Sequence, residues 1–91
     1  MKKVTVYSLS VYKIETSDMY DISLFLKKAP SREDVEKQLN EFGIKVNEFV
    51  LNSLLKTGIA KSEYDIGLPV FLRLSSDDYT IDGDIIQRVN D

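Results

Sequence analysis

Residues 63–91 contain seven acidic side chains, and four of them stand close together. Asp77, Asp78, Asp82 and Asp84 surround Gly83, and such oxygen donors are the ligands that calcium prefers. Their spacing differs from that of an EF-hand loop, and no glutamate follows where a bidentate ligand would stand. Because the turn preferences of aspartate and glycine account for the same residues, we predict no metal site.

Catalytic chemistry has few candidate residues in this chain. The sequence contains no histidine and no cysteine, which removes zinc sites and Cys/His nucleophiles. It also lacks a glycine-rich phosphate loop and a serine nucleophile elbow. Paired carboxylates would need a cleft with two separate environments, and nothing in the sequence indicates one. We therefore predict that the protein is not an enzyme and binds no cofactor.

Charge is distributed unevenly within a net charge of −3. Residues 1–62 carry ten lysines and arginines against eight acidic residues, whereas residues 63–91 carry two against seven. Tyrosines among these acids could anchor in a partner while the charges steer association. We hypothesise a protein-binding module, an inhibitor or an adaptor, whose protein partner has a basic surface. The predicted partner-binding residues are Glu63, Tyr64, Asp65, Asp77, Asp78, Tyr79, Asp82 and Asp84.

Two alternative functions are left open. Five lysines could gather at one end of the first two strands, near three tyrosines, and make a nucleic-acid-associated regulator. These lysines are Lys2, Lys3, Lys13, Lys27 and Lys28. Lysines that protect an exposed edge strand are the commoner arrangement, so we do not expect nucleic acid as a partner. The second alternative is an accessory subunit of an enzyme.

A helix-turn-helix is also conceivable, with Gly43 between two helices. The second helix would then be the recognition helix, but its polar residues are only Asn47, Asn52, Lys56 and an unfavourable Glu48. DNA binding needs a cluster of cations to displace counterions. We therefore interpret the two helices as an ordinary packed pair.

The general profile of the chain is similar to that of many phage and mobile-element proteins that block host machinery, anti-CRISPR proteins included. The similarity is one of type and involves no shared motif. The chain has 91 residues and no apolar run long enough to span a bilayer. We expect a soluble, cytoplasmic protein with no membrane contact; its oligomeric state is left open.

Residues 3–26 predict a β-hairpin. Residues 3–15 are rich in β-branched and aromatic side chains, but their apolar positions change parity along the strand. We therefore predict either burial on both faces or a β-bulge within residues 6–12. After a polar turn, apolar side chains alternate and should share one face of the second strand. These are Tyr20, Ile22, Leu24 and Leu26.

Two capped helices should follow. Ser31 is a good N-cap for a helix over residues 32–42, which Gly43 would end. The apolar stripe of this helix is Val35, Leu39 and Phe42. Asn47 should cap a second helix that ends at Gly58. Its broad apolar face consists of Phe49, Val50, Leu51, Leu54 and Leu55.

The C-terminal third predicts further strands. Tyr64 and Ile66 could belong to a short strand, and residues 70–74 alternate clearly. Residues 75–78 read as a polar turn, and Asp82-Gly83 predicts a tight hairpin between residues 79–81 and 84–86. A short helix from Asp84 is the alternative. The order β-β-α-α-β plus a C-terminal hairpin predicts one α+β domain over residues 1–91, with two helices packed on one face of an antiparallel sheet.

Overall fold

The computed structural model describes residues 2–26 and 28–89. The fold is α+β, as predicted: an antiparallel sheet of five strands with two helices. The elements are β1 Lys2–Lys13, β2 Asp18–Phe25, α1 Arg32–Glu41, α2 Glu48–Thr57, β3 Ile59–Glu63, β4 Pro69–Asp82 and β5 Ile85–Arg88. The strand order is β2-β1-β4-β3, and β5 pairs with the same edge of β4 as β3 does.

The register of β1 against β2 shifts by one residue between Leu9 and Ser10, but the extra residue of this bulge is Ile22 of β2, so the bulge predicted within residues 6–12 lies in the partner strand. The shift also corrects the prediction that the alternating residues of β2 share one face. Ile22 and Phe25 pack against the core, whereas Leu24 pairs with Ser8 and is 56% exposed. The bulge inserts an extra residue into β2, so side-chain parity changes partway along that strand.

The predicted turn at residues 75–78 is wrong, because β4 runs without interruption from Pro69 to Asp82. Residues 2–13 of β1 pair with β4 along its length, which supplies hydrogen bonds that the polar side chains do not indicate. The predicted hairpin after Asp82 is confirmed, and β5 replaces the alternative short helix. Gly83 in this turn has a positive φ of 62°. An additional strand, β3, precedes β4, and Tyr64 forms an isolated bridge with Ile44 after it.

Both helices have the predicted caps. The Ser31 hydroxyl accepts from the Asp34 amide, and the Asp34 carboxylate accepts from the Ser31 amide, forming a capping box. Asn47 caps α2 by accepting from the Val50 amide. Gly58 ends α2 with a φ of 81°, and a Cβ there would lie 2.9 Å from the Leu74 carbonyl oxygen. No helix in the described part of the chain is long and apolar enough to cross a membrane.

The helices cover only part of the sheet. The buried apolar residues form one cluster, to which the sheet contributes Leu9, Val11, Ala60, Val70 and Leu72. Val35, Leu39, Val50, Leu51 and Leu54 join it from the helices, whereas Phe42, Phe49 and Leu55, which were expected to face the core, are exposed. None of residues 2–7, 76–82 and 85–88 is buried. These residues form a three-stranded ribbon, named here the ribbon, that extends beyond the helices.

Candidate functional site

One whole face of the sheet is uncovered by the described residues and is named here the open face. Leu9 and Val11 point towards the helices, so the even-numbered residues of β1 point the other way. Large apolar side chains lie on this face and are well exposed, for example Met19 at 61%, Leu26 at 61% and Ile86 at 67%. The sheet therefore has one face that the helices cover and one face that is apolar although it is uncovered.

A polar row crosses the open face at the level of the bulge. The Ser10 hydroxyl donates to the Asp21 carboxylate over 2.7 Å, and Arg73 pairs with Ser10 from the neighbouring strand. Ser10 is 6% exposed, although its side chain is polar. Because the Asp21 carboxylate accepts a hydrogen bond from the Ser10 hydroxyl, burying Ser10 here costs little free energy. The row divides the open face into two apolar patches.

The first of these, the ribbon patch, lies on the ribbon and the adjoining end of β2. Its apolar residues are Val4, Val6, Leu24, Leu26, Tyr79, Ile81 and Ile86. Together with Met19, the polar row and the side chains of Asp77 and Arg88, they line a concave groove of about 640 Å³. The other side of the ribbon carries polar side chains such as Thr5 and Thr80. They follow Val4 and Tyr79 directly in the sequence and therefore point the opposite way. The ribbon is therefore amphipathic, but neither of its sides is covered.

The helix-backed patch is the second one and lies over the part of the sheet that the helices support. It consists of Tyr12, Met19, Ile59 and Phe71 and borders a depression of about 450 Å³. The rings of Tyr12 and Phe71 stack with centroids 6.4 Å apart. The Lys61 ammonium lies 6.0 Å from the Phe71 ring centroid, close enough for a cation–π contact. This patch is aromatic and rigid, and it carries a cation at its edge.

Four of the predicted partner-binding residues, Asp77, Asp78, Tyr79 and Asp82, lie on β4 and do not share a face. Asp77 and Tyr79 lie on the open face, and Asp77 forms an ion pair with Arg88 of β5. The Asp77 carboxylate raises the pKa of the Arg88 guanidinium. Asp78 points to the opposite side, where it accepts from the Thr5 hydroxyl over 2.6 Å and lies 3.9 Å from the Lys3 ammonium. Adjacent residues of a strand point to opposite faces, so these two carboxylates cannot act together.

The remaining acidic residues of this region mark the end of the ribbon. Asp82 is the last residue of β4, Asp84 lies in the following turn, and both are exposed. No group of three or more carboxylates in the described ranges is arranged to hold a metal ion. The end of the ribbon is therefore a small acidic tip, named here the acidic tip.

Glu63, Tyr64 and Asp65 lie at the other end of the molecule. Glu63 pairs with Pro69, the first residue of β4, so about 40 Å of strand separates it from the acidic tip. The Glu63 carboxylate binds the Lys45 ammonium over 2.7 Å and raises the pKa of that lysine. The eight predicted residues thus form two separate groups at opposite ends of β4, and within the group on the ribbon only Asp77 and Tyr79 belong to the open face.

Tyr64 is partly buried against the core. Its hydroxyl is buried and has no hydrogen-bond partner among the described residues. The Lys13 ammonium lies 5.4 Å from the Tyr64 ring centroid and 5.3 Å from that of Tyr20. The pKa of Lys13 is raised, chiefly because the Tyr20 hydroxyl lies beside its ammonium. Tyr64 therefore acts mainly in packing in this structure.

The lysines proposed for the alternative nucleic-acid surface are also separated. Lys2 and Lys3 begin β1 and Lys13 ends it, about 35 Å away along the strand. Lys28 follows β2, and Lys27 lies outside the described residues. Lys2 and Lys3 are thus separated from Lys13 by the length of β1, and Lys28 lies beyond the end of β2.

Sequence reasoning missed the apolar residues of the open face. Met19, Leu24, Leu26 and Ile86 had the appearance of core residues, because apolar alternation alone does not say which face is covered. The available signal was the number of helices. Two helices of ten residues each are too short to cover both faces of a sheet that contains a 14-residue strand.

Comparisons of the chain with protein-family models, with curated proteins and with solved structures found no match, so its function has to be inferred from its own geometry.

Proposed function

We propose that this chain is a small, non-enzymatic protein-binding module whose working surface is the open face. The observation that carries the proposal is the exposure of large apolar side chains across a face that no described residue covers. Contiguous apolar patches with a polar rim are typical of protein-interaction sites on otherwise soluble domains. The proposed role is that of an inhibitor or adaptor, which acts by occupying a surface of its partner.

The chemistry of the open face supports binding over catalysis. Its carboxylates are engaged, Asp21 with the Ser10 hydroxyl and Asp77 with the Arg88 guanidinium. Histidine and cysteine are absent from the sequence. Rigid aromatic side chains such as Tyr12, Phe71 and Tyr79 are the residue types that supply binding energy at the centres of interfaces.

Charge gives the proposed partner a further property. The chain has a net charge of −3, and the acidic tip is exposed. A partner with basic groups around an apolar patch would be attracted to this end of the molecule, which increases the association rate more than the final affinity. We therefore propose a protein partner with a basic surface.

Capture from the native host tests the proposal with matched variants. The face variants are Met19→Ser with Ile59→Ser in the helix-backed patch, and Leu26→Ser with Ile86→Ser in the ribbon patch. The control is Phe49→Ser with Ile66→Ser, which removes two side chains that are each 80% exposed and lie off the open face.

We expect a protein that the wild type and the control retain and that at least one face variant loses. Circular dichroism melts should show that every variant is folded. A partner that both face variants retain, or that the control loses, would place the binding surface elsewhere and overturn the proposal.

A further inference from the structure

The ribbon has an apolar side that stays exposed in a single copy of the chain. Residues 3–6 of β1 and 78–82 of β4 alternate between polar and apolar side chains, a pattern typical of a sheet with one face buried. Val4, Tyr79 and Ile81 lie on the apolar side, yet none of them is buried and Ile86 is 67% exposed. A contiguous apolar face left exposed on a folded domain is typical of an interaction surface.

From this arrangement we infer that a second copy of the same chain covers the ribbon patch, so that two ribbons pack face to face in a homodimer. The inference rests on the proposed function, because it assigns an occupant to part of the open face. Stacked sheets lie about 10 Å apart, a separation that the apolar side chains of two such patches fill.

The size of the ribbon patch matches a reversible dimer. At each level of the patch three strands lie side by side and span about 14 Å, and residues 75–82 of β4 span about 26 Å, which gives roughly 360 Å² of sheet on each copy. Standard interfaces bury about 800 Å² per partner, and weak ones bury below about 600 Å². We therefore expect dissociation in the micromolar range.

The charges of the ribbon also favour a second copy. Within the patch Asp77 is neutralised by Arg88, so the patch does not add to the repulsion between two chains of charge −3. At its end the ribbon carries both signs: Lys2 is exposed opposite Ile81, and Asp84 is exposed in the turn after β4.

A two-fold axis parallel to β4 makes these charges complementary. Such an axis exchanges the two edge strands of the ribbon, so that β1 of one copy lies over β5 of the other. Lys2 then lies over Ile86 of the second copy, next to the turn that carries Asp84, and Tyr79 faces Tyr79. Because the interface is symmetric, each Lys2–Asp84 contact occurs twice.

Sedimentation velocity and light scattering from about 1 µM to about 200 µM test the inference across the range expected of a weak interface. The wild type should shift from monomer to dimer with rising concentration. Ile86→Glu should abolish the dimer, because two charges would be buried in it. Ile66→Glu, at a residue 80% exposed off the open face, should leave the dimer intact.

Charge reversal tests the orientation of the two copies. Lys2→Glu should weaken the dimer about tenfold, since two attractive contacts become repulsive. Adding Asp84→Lys to Lys2→Glu should restore the wild-type dissociation constant, whereas Asp84→Lys alone should weaken the dimer as Lys2→Glu does. Failure of this restoration would overturn the parallel two-fold arrangement.

A wild type that is monomeric up to about 200 µM, or a dimer that persists in Ile86→Glu, would overturn the assignment of the ribbon patch to a second copy. Neither result bears on the capture of another protein by the open face. A monomeric wild type that captures a partner lost in the Leu26→Ser, Ile86→Ser variant would show that a different protein occupies the ribbon patch. Failure of both experiments would reject the open face itself.

Discussion

Among the individual residues, Tyr64 has the least satisfied polar group. Its hydroxyl is buried without a hydrogen-bond partner in the described part of the chain, while its ring packs against the core and the Lys13 ammonium. Leaving a buried hydroxyl unpaired costs free energy that removing the hydroxyl recovers.

Tyr64→Phe should therefore raise the free energy of unfolding by about 1 kcal/mol. Denaturant unfolding at neutral pH measures this change. Tyr20→Phe is the matched control, since it removes the other tyrosine hydroxyl near Lys13, the one that raises the pKa of that lysine. The control should not stabilise the protein. A Tyr64→Phe variant less stable than the wild type would mean that the hydroxyl has a bonded role that the structure does not show.

The capping box of α1 makes the free energy of unfolding depend on pH. The Ser31 amide and hydroxyl lower the pKa of Asp34 below its ordinary value of 3.8. A carboxyl whose pKa is lower in the folded state stabilises the fold at pH values above its unfolded pKa. This contribution is lost as the pH falls through the folded pKa.

Asp34→Asn should consequently be less stable than the wild type at pH 7, and the difference should shrink as the pH is lowered below about 4. Urea unfolding across this range measures it. Glu36→Gln, on the exposed side of the same helix, should show no such convergence. A constant difference at all pH values would show that the carboxylate charge of Asp34 is not what stabilises the cap.

At the scale of elements, the inner face of α2 is separated sharply from its outer face. Leu54 is 1% exposed within the core cluster, and its neighbour Leu55 is 41% exposed. Leu54→Ala should lower the free energy of unfolding by about 2–4 kcal/mol, because it leaves a cavity in the core. Leu55→Ala makes the same substitution at the next position of the helix and should lower the free energy of unfolding by less than about 1 kcal/mol. Equal costs would contradict the packing of this helix.

The acidic tip provides a test of charge steering once a partner is known. Asp82→Asn with Asp84→Asn should slow association and flatten its salt dependence, with little change in the dissociation rate. Glu36→Gln with Glu41→Gln removes the same charge from exposed positions on α1 and should have a smaller effect. Identical association rates in the two variants would show that the location of the acids does not matter.

The helices could be predicted from the sequence because their signals are local. Ser31, Asn47 and Gly58 each fix a helix end within a few residues of chain. The long strand β4 could not be predicted in the same way. Residues 75–78 are polar and read as a turn, and only their pairing with residues 5–8 of β1, about 70 positions earlier, makes them extended. A bulge was expected in β1 because of its parity change, whereas the extra residue is Ile22 of β2.

The candidate site was predicted only in part. Acidic residues and tyrosines stand out in a sequence, and this brought Asp77 and Tyr79 to attention. Met19 and Ile86 did not stand out, since an apolar residue reveals nothing of its surface position until the covering layer is known. The layer arrangement is a property of the packed elements and carries no local signature.

As a whole molecule the protein is elongated, with dimensions of 45 × 27 × 23 Å. This shape follows from β1 and β4, which continue beyond the helices and carry the open face along the full length. The two ends of the sheet therefore differ in support: one end has a helix layer behind it, and the other end has only the hydrogen bonds of the ribbon.

This difference in support should divide the molecule into two units that open independently in amide hydrogen exchange. Amides of β1 and β4 near Leu9 and Leu72 should exchange only on global unfolding, whereas those near Val4 and Thr80 should exchange through a smaller opening that starts at the tip. Residue-resolved exchange by NMR measures the two classes. Uniform protection along β4 would show that the strand behaves as one cooperative unit.

Strand β4 belongs to a stable unit and to a labile unit, so its amides sample two openings of different size. Anything that binds the ribbon must be released before the tip opens and before the whole chain unfolds. It would therefore slow exchange both at the tip and at the helix-backed amides, and exchange along β4 would report how much of the ribbon is occupied.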